Sequence, residues 1–176
     1  GGSNTRNQPV TDALVTALYY TVQYSVPWTI LTVLIGPIVG VYSAANQYSW
    51  RDHAATGLAF FGYAIPNFFF GIILLLIFGV QLRWIPIVYQ TDVAVFSVQN
   101  VIQLTIPIFV LVTGSIGAIM RVSRNESAEY ANADFVKTAK AKGVSTYRIY
   151  ARHVIRPTMV PLSTTMVGYL LAIFTG

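Results

Sequence analysis

Asp134, Lys137, Lys140, Lys142, Arg148, Arg152 and Arg156 fall within one short segment of a 176-residue chain that has only 11 Lys and Arg and 6 Asp and Glu in all. Such a cluster recognises by charge. Six cations with one carboxylate among them hold anionic surfaces or partners. The chain has no Cys, which excludes thiolate catalysis and thiolate metal sites. His53 and His153 stand alone at the edges of apolar runs, so no catalytic, cofactor or metal site is expected. No phosphate-cradling Gly-rich loop with Gly-Lys-Ser/Thr, no His-Glu-x-x-His and no Gly-x-Ser-x-Gly occurs, so nucleotide hydrolysis and familiar hydrolase chemistry cannot be placed in the chain.

The elements that carry the charges read as helix, turn, helix. Asn132 or Asp134 is expected to cap a helix whose last turn holds Lys140 and Lys142, and Gly143 to end it in a left-handed conformation. Ser145 is expected to cap a second helix that runs to Arg156 and is interrupted at Pro157. Within it Arg148, Arg152 and Arg156 repeat every four residues as a basic stripe, with Tyr147, Tyr150, Ala151 and Val154 as the apolar face. A nucleic-acid-reading helix-turn-helix is not expected. The pair is tied at both ends to apolar spans and has no additional helix to complete a small core.

Around this segment the chain is a membrane protein. It is 55% hydrophobic with a mean hydropathy of +0.59. Ala13 to Trp50, Ala54 to Leu82, Val93 to Met120 and Pro157 to Gly176 contain no Asp, Glu, Lys or Arg, and each is long enough for one spanning helix. An all-α polytopic protein with about four spans follows. The segments Tyr42 to His53 and Arg121 to Arg156 share a side and hold nine of the eleven cations; Arg6 and Arg83 lie opposite. The positive-inside bias puts the two basic segments in the cytoplasm, and residues 1–12 and Arg83 to Asn100 outside. An exterior N-terminus with no export signal calls for a preceding span, so the sequence reads as part of a longer chain.

Pro37, Pro66 and Pro107 lie inside the first three spans, where each is expected to kink its helix. The polar content of the spans is amide and hydroxyl, namely Gln23, Asn67, Gln103, Thr105, Thr113 and Ser115, which usually glue helices together. Pro66, Asn67 and Gln103 are the candidates to line a pathway. No ionisable residue lies at membrane depth to carry protons, so uphill movement would take its energy from a partner.

At the basic segment the sequence resembles the inner-membrane permease subunits of ABC importers, in the dipeptide and oligopeptide group. Asp134-Phe135-Val136, Thr138 through Ser145, Arg152-His153, Ile155-Arg156-Pro157 and Pro161 match that family's cytoplasmic loop. Weaker matches, "NQPV" before the first span, "IPNFFFG", "RWIP" and the Arg121/Arg124 pair, extend it over almost the whole chain. The general permease loop begins Glu-Ala-Ala, and this sequence has Lys137-Thr138-Ala139 there; the peptide branch commonly lacks that Glu.

The resemblance implies a type I ABC importer permease fold of six spans, of which residues 13–176 would hold four, with a coupling loop at 121–156. Asp134, Thr138, Ala139, Ala141, Gly143, Ser145, Arg152 and Pro161 would form the ATPase-coupling loop. It further implies a second permease subunit, cytoplasmic ATP-binding cassette subunits that carry all catalysis, an extracytoplasmic solute-binding protein, a plasma-membrane location and contact with lipid. The alternative is a membrane scaffold or channel whose basic loop binds lipid or a regulator.

Overall fold

A computed structural model describes residues 10–175, so most of the expected extracytoplasmic segment 1–12 lies outside the described residues. Every element among these residues is helical: α1 (Val10–Ala45), α2 (Trp50–Ala64), α3 (Asn67–Leu74) continued by a π turn (Leu75–Gln81), α4 (Val98–Asn132), α5 (Asp134–Ala141), α6 (Thr146–Ile149) continued by a second π turn (Tyr150–Val154), and α7 (Ile155–Thr175). By length and composition α1 and α4 can each cross a bilayer, and α2 with α3 and its π turn makes a third, broken span. The fourth uncharged stretch folds as α7, outside that count among the described residues.

Pro66 does more than kink the second span. It stands between α2 and α3 with ψ 127°, and the two segments meet at 95°. A proline bars its predecessor from helical geometry, and Ile65 is extended (ψ 126°), so two consecutive residues leave the helix and the chain turns a corner. Pro37 and Pro107 stay inside α1 and α4, as does Pro27 in α1.

α1 packs chiefly on α4, and the contact is made by small residues. Ser25, Thr29, Thr32, Gly36, Gly40 and Ser43 recur every three or four positions, the spacing of one helix face, and all are buried. A Cβ built on Gly40 would lie 2.5 Å from Ser123 Cβ and 2.6 Å from the Met120 carbonyl oxygen; one on Gly36 would collide with Ile119. The outward face of the same helix carries Ile30, Leu34 and Ile38, all more than half exposed. This is the reverse of a soluble helix and suits a lipid surround.

Two polar clusters tie the ends of this pair. At one end Tyr89 and Asn100 donate to Gln23, and Gln103 donates to Asn100; at the other Ser43, Asp52 and Arg124 converge. Twenty residues of α1 separate Gln23 from Ser43, about 30 Å of helix and so about one hydrocarbon thickness. The Asp52–Arg124 contact places Tyr42–His53 beside Arg121–Arg156, while Arg83–Asn100 lies at the other end, as the charge pattern anticipates.

The closeness of α1 and α4 gives a direct test. Gly40→Ala should destabilise the full-length protein by about 1–3 kcal/mol, since the added methyl must push two backbones apart. Gly57→Ala, where a Cβ meets nothing within 4 Å, should be neutral or slightly stabilising. Thermal unfolding in mild detergent reads both, and equal midpoints for the two variants would refute the close contact.

Candidate functional site

The hairpin between α4 and α7 starts from α5. Asp134 is its first helical residue, and Ala133 occupies the capping position with no side-chain bond, so neither Asn132 nor Asp134 caps the helix as expected. Asp134 instead receives the Lys137 ammonium at 2.8 Å, which holds its carboxyl below the ordinary carboxylate range; its backbone carbonyl accepts from the Thr138 hydroxyl at 2.9 Å. Both charges of the ion pair are largely exposed, so it adds little to stability.

The other end of α5 closes as the sequence anticipates. Gly143 has φ +76°, its N–H donates to the Lys140 carbonyl, and the Val144 N–H donates to the Ala139 carbonyl at 3.1 Å. Those two bonds are the Schellman pair, which satisfies carbonyls the helix end leaves open. Ala139 and Val144 also pack on a small core of Val136, Ile149 and Val154. Nothing lies within 4 Å of a Cβ built on Gly143, so the position demands glycine through its backbone angle alone and its outer side is free.

The second arm differs from expectation in three respects. Ser145 sits at the capping position of α6, but its hydroxyl makes no capping bond. The helix passes through Pro157 without interruption, because the chain widens just upstream: the Ile155 N–H reaches back five residues to the Tyr150 carbonyl. The inward face is Ile149, Val154 and, in part, Tyr150, whereas Tyr147 is 85% exposed and Ala151 is exposed too. Arg148, Arg152 and Arg156 do form an exposed stripe, and with Ser145 and Tyr147 they line an open groove.

Asp134, Thr138, Ala141, Gly143 and Ser145 are thus exposed on the outer part of the hairpin, with Ala139 half-buried in its core and Arg152 on the stripe. Pro161 is apart from them, inside α7. The hairpin is anchored inward where the Tyr150 hydroxyl reaches the Ala44 carbonyl at 3.5 Å and where buried Ser127 meets Thr158 at 3.4 Å.

Next to this anchor lies a cluster that sequence reasoning missed. Arg124 holds Asp52 with both arms, Nε to Oδ1 at 2.7 Å and Nη2 to Oδ2 at 2.6 Å. Ser43 donates to the same carboxylate, and the Tyr48 backbone N–H donates to it at 3.0 Å from a left-handed residue with φ 61°. Asp52 is 2% exposed and Arg124 25%. One carboxylate therefore joins the end of α1, the start of α2 and the last third of α4.

The candidate pathway residues separate. Asn67 is exposed at the start of α3, with its amide against the backbone of Gly114, and Pro66 makes the corner beside it. Gln103 is 5% exposed and its amide is engaged: Nε2 donates to Asn100 at 2.8 Å and to the Gln90 carbonyl at 3.2 Å, and Oε1 accepts from the Gln90 N–H at 3.0 Å. It fastens the loop before α4 to that helix.

The two halves of the Asp52–Arg124 pair should not be equally costly to remove. Arg124→Met strands a buried carboxylate and should destabilise by about 3 kcal/mol, while Asp52→Asn leaves a cation with a route to water and should cost nearer 1–2 kcal/mol. The double variant should lose less than the sum. Unfolding midpoints of the full-length protein measure all three, and strict additivity would show that the pair does not act as a unit.

Among known proteins, the family model of the binding-protein-dependent transport system inner membrane component matches residues 36–176. The oligopeptide transport system permease protein AppB of Bacillus subtilis is 32% identical over 175 residues, 97% of this chain and 54% of the relative. A putative peptide transport system permease protein of Brucella abortus is 30% identical over 176 residues, 100% of this chain and 56% of the relative. The oligopeptide transport system permease protein OppB of Haemophilus influenzae is 29% identical over 172 residues, 97% and 54% respectively. The chain spans about half the length of these curated relatives. With four-fifths of its residues inside the family match, and with the all-helical, membrane-spanning fold described above, the chain belongs to the binding-protein-dependent transport system inner membrane component family.

Proposed function

We propose that this chain is part of the permease subunit of an ATP-driven, binding-protein-dependent peptide importer, with residues 13–176 in its transmembrane domain and the loop 121–156 as its cytoplasmic coupling segment. The relatives' names support peptides as the cargo class. Its partners are a second permease subunit, ATP-binding cassette subunits that hydrolyse ATP, and a solute-binding protein on the outer face. The permease itself performs no chemistry; it converts a push on its hairpin into movement of helices.

The observation that carries this reading is the hairpin's outer end. A Schellman turn with an open outer face, braced by a core of Val136, Ile149 and Val154, projects at the end of the bundle where the cations gather. It is stiff enough to transmit force and bare enough to seat in a groove. Its base is fastened to α1 and α4, so displacement of the turn reaches the helices that Asp52 joins. Asn67 and Pro66, at the exposed corner of the broken span, are the residues placed to line the pathway. Gln103 acts there as a tie for the outer loop.

Two experiments test the reading. In this Cys-free chain an impermeant thiol reagent added outside intact cells should label Gln90→Cys and not Tyr147→Cys; the opposite pattern would invert the topology. In the reconstituted full complex, Gly143→Asn should keep coupling, because Asn tolerates a left-handed backbone. Gly143→Val should lose transport and substrate-stimulated ATP hydrolysis, since a β-branched residue with φ +76° costs about 1–2 kcal/mol or more and resets the turn. Normal stimulation in Gly143→Val would show that the hairpin is not the coupling element.

A further inference from the structure

Between α2 and α4, beside the Asp52–Arg124 pair, lies a cavity of about 250 Å³ that the coupling reading does not use. Its rim is polar, formed by Arg121, Arg124, Asn125 and Thr56, and its wall is apolar, formed by Phe60, Tyr63 and Gly117 among others. The two kinds of residue are sorted by depth. α4 brings Arg121, the first charge after the uncharged stretch Val93 to Met120, to the cavity one turn above Gly117. α2 runs the other way and brings Thr56 near the charged end, with Phe60 and Tyr63 one and two turns further toward the membrane interior.

Polarity that changes from cationic to aromatic over one or two turns fits an amphiphile lying along the bilayer normal. Arg121 is exposed and has no carboxylate partner among the described residues. Arg124 is neutralised by Asp52, so the rim carries one uncompensated positive charge together with amide and hydroxyl donors. Phe60 is 50% and Tyr63 69% exposed, so nothing among the described residues covers the apolar wall. Basic pockets between membrane helices at the cytoplasmic face are suited to anionic headgroups.

We propose that this cavity is a binding site for an anionic phospholipid, with the headgroup phosphate on Arg121 and an acyl chain along Phe60 and Tyr63. The inference rests on the proposed orientation only in placing the charged end of α4 at the cytoplasmic face, which labelling at positions 90 and 147 checks separately, and it is independent of the Gly143 outcome. The bound lipid bridges α2 and α4 next to the Asp52 clamp.

The test is lipid retention by the purified full-length permease complex in mild detergent, titrated with phosphatidylglycerol, phosphatidylcholine or inorganic phosphate and read by native mass spectrometry. Phosphatidylglycerol should be retained at one molecule per copy of this chain, and Arg121→Gln should weaken it about fivefold, the effect of one cation near an anionic headgroup. Arg121→Lys should keep most of the affinity, and phosphatidylcholine and inorganic phosphate should not displace the bound lipid. Should Arg121→Gln fail to assemble, raising salt on the wild-type complex from about 0.1 M to about 1 M, which shortens the screening length roughly threefold, should weaken retention by up to the same factor. Equal retention in wild type and Arg121→Gln, insensitivity to salt, equal binding of phosphatidylcholine, or displacement by inorganic phosphate would each overturn the proposal.

Discussion

The close approach of α1 and α4 is the constraint from which the rest of the structure follows. Lipid tails are as apolar as leucine, so two helices in a bilayer gain little by hiding large hydrophobic side chains from them. What holds them is contact at short range and polar bonds that have no competitor in hydrocarbon. The stripe from Ser25 to Ser43 meets the first need, for Gly36 and Gly40 let Ile119, Met120 and Ser123 come up to the backbone. The clusters around Asn100 and Asp52 meet the second, one at each end of the shared length. Each of these clusters also captures a third piece of chain, the loop before α4 in one case and the start of α2 in the other. Orientation of the bundle and the position of both loops are consequences of one helix pair.

Much of this was legible in the sequence where the cause is local. Uncharged stretches give the spans because every charge at membrane depth is costly, and Gly143 gives the turn because the left-handed region is cheap for it. The Asp52–Arg124 pair was not legible. Its partners lie 72 residues apart, and an Asp among turn residues reads as a surface charge until a second helix is laid over it. Pro66 read as a kink because a single proline permits one; that Ile65 also leaves the helix is a matter of packing, with Asn67 set on Gly114. Ser145 and Pro157 carry the local signals of a cap and of a helix end. The widened turn just before Pro157 set aside the second of these.

That turn is what gives the hairpin its core. In an uninterrupted α-helix, residues five apart point about 140° away from each other, so Ile149 and Val154 could not both face Val136. The π turn between them adds a residue to the circuit and brings both fully inside. A four-residue helix such as α6 has almost no stability of its own, and the contact of these two side chains with α5 supplies what its length does not. The arginines are left outside by the same geometry.

The distribution of stiffness then bears on how a push at the hairpin would spread. Its base is fixed to α4 by Ser127 and to the end of α1 by Tyr150, and those two helices are locked to each other by backbone contact and by the Asp52 carboxylate. A displacement arriving there moves α1 and α4 together, because separating them means breaking buried polar bonds and close packing at once. The broken span is held differently. α2 touches α4 through Gly62 and Gly117, and beyond Pro66 the chain turns through 95° into α3, which meets α4 where Asn67 lies on Gly114 and has no fully buried residue among the described ones. With its start pinned by Asp52 and its far half lightly packed, this span is the one that can change its angle while the α1–α4 pair stays whole. On the proposed reading, the corner at Pro66 and Asn67 is where a rigid movement of the hairpin would become a change of shape in the broken span.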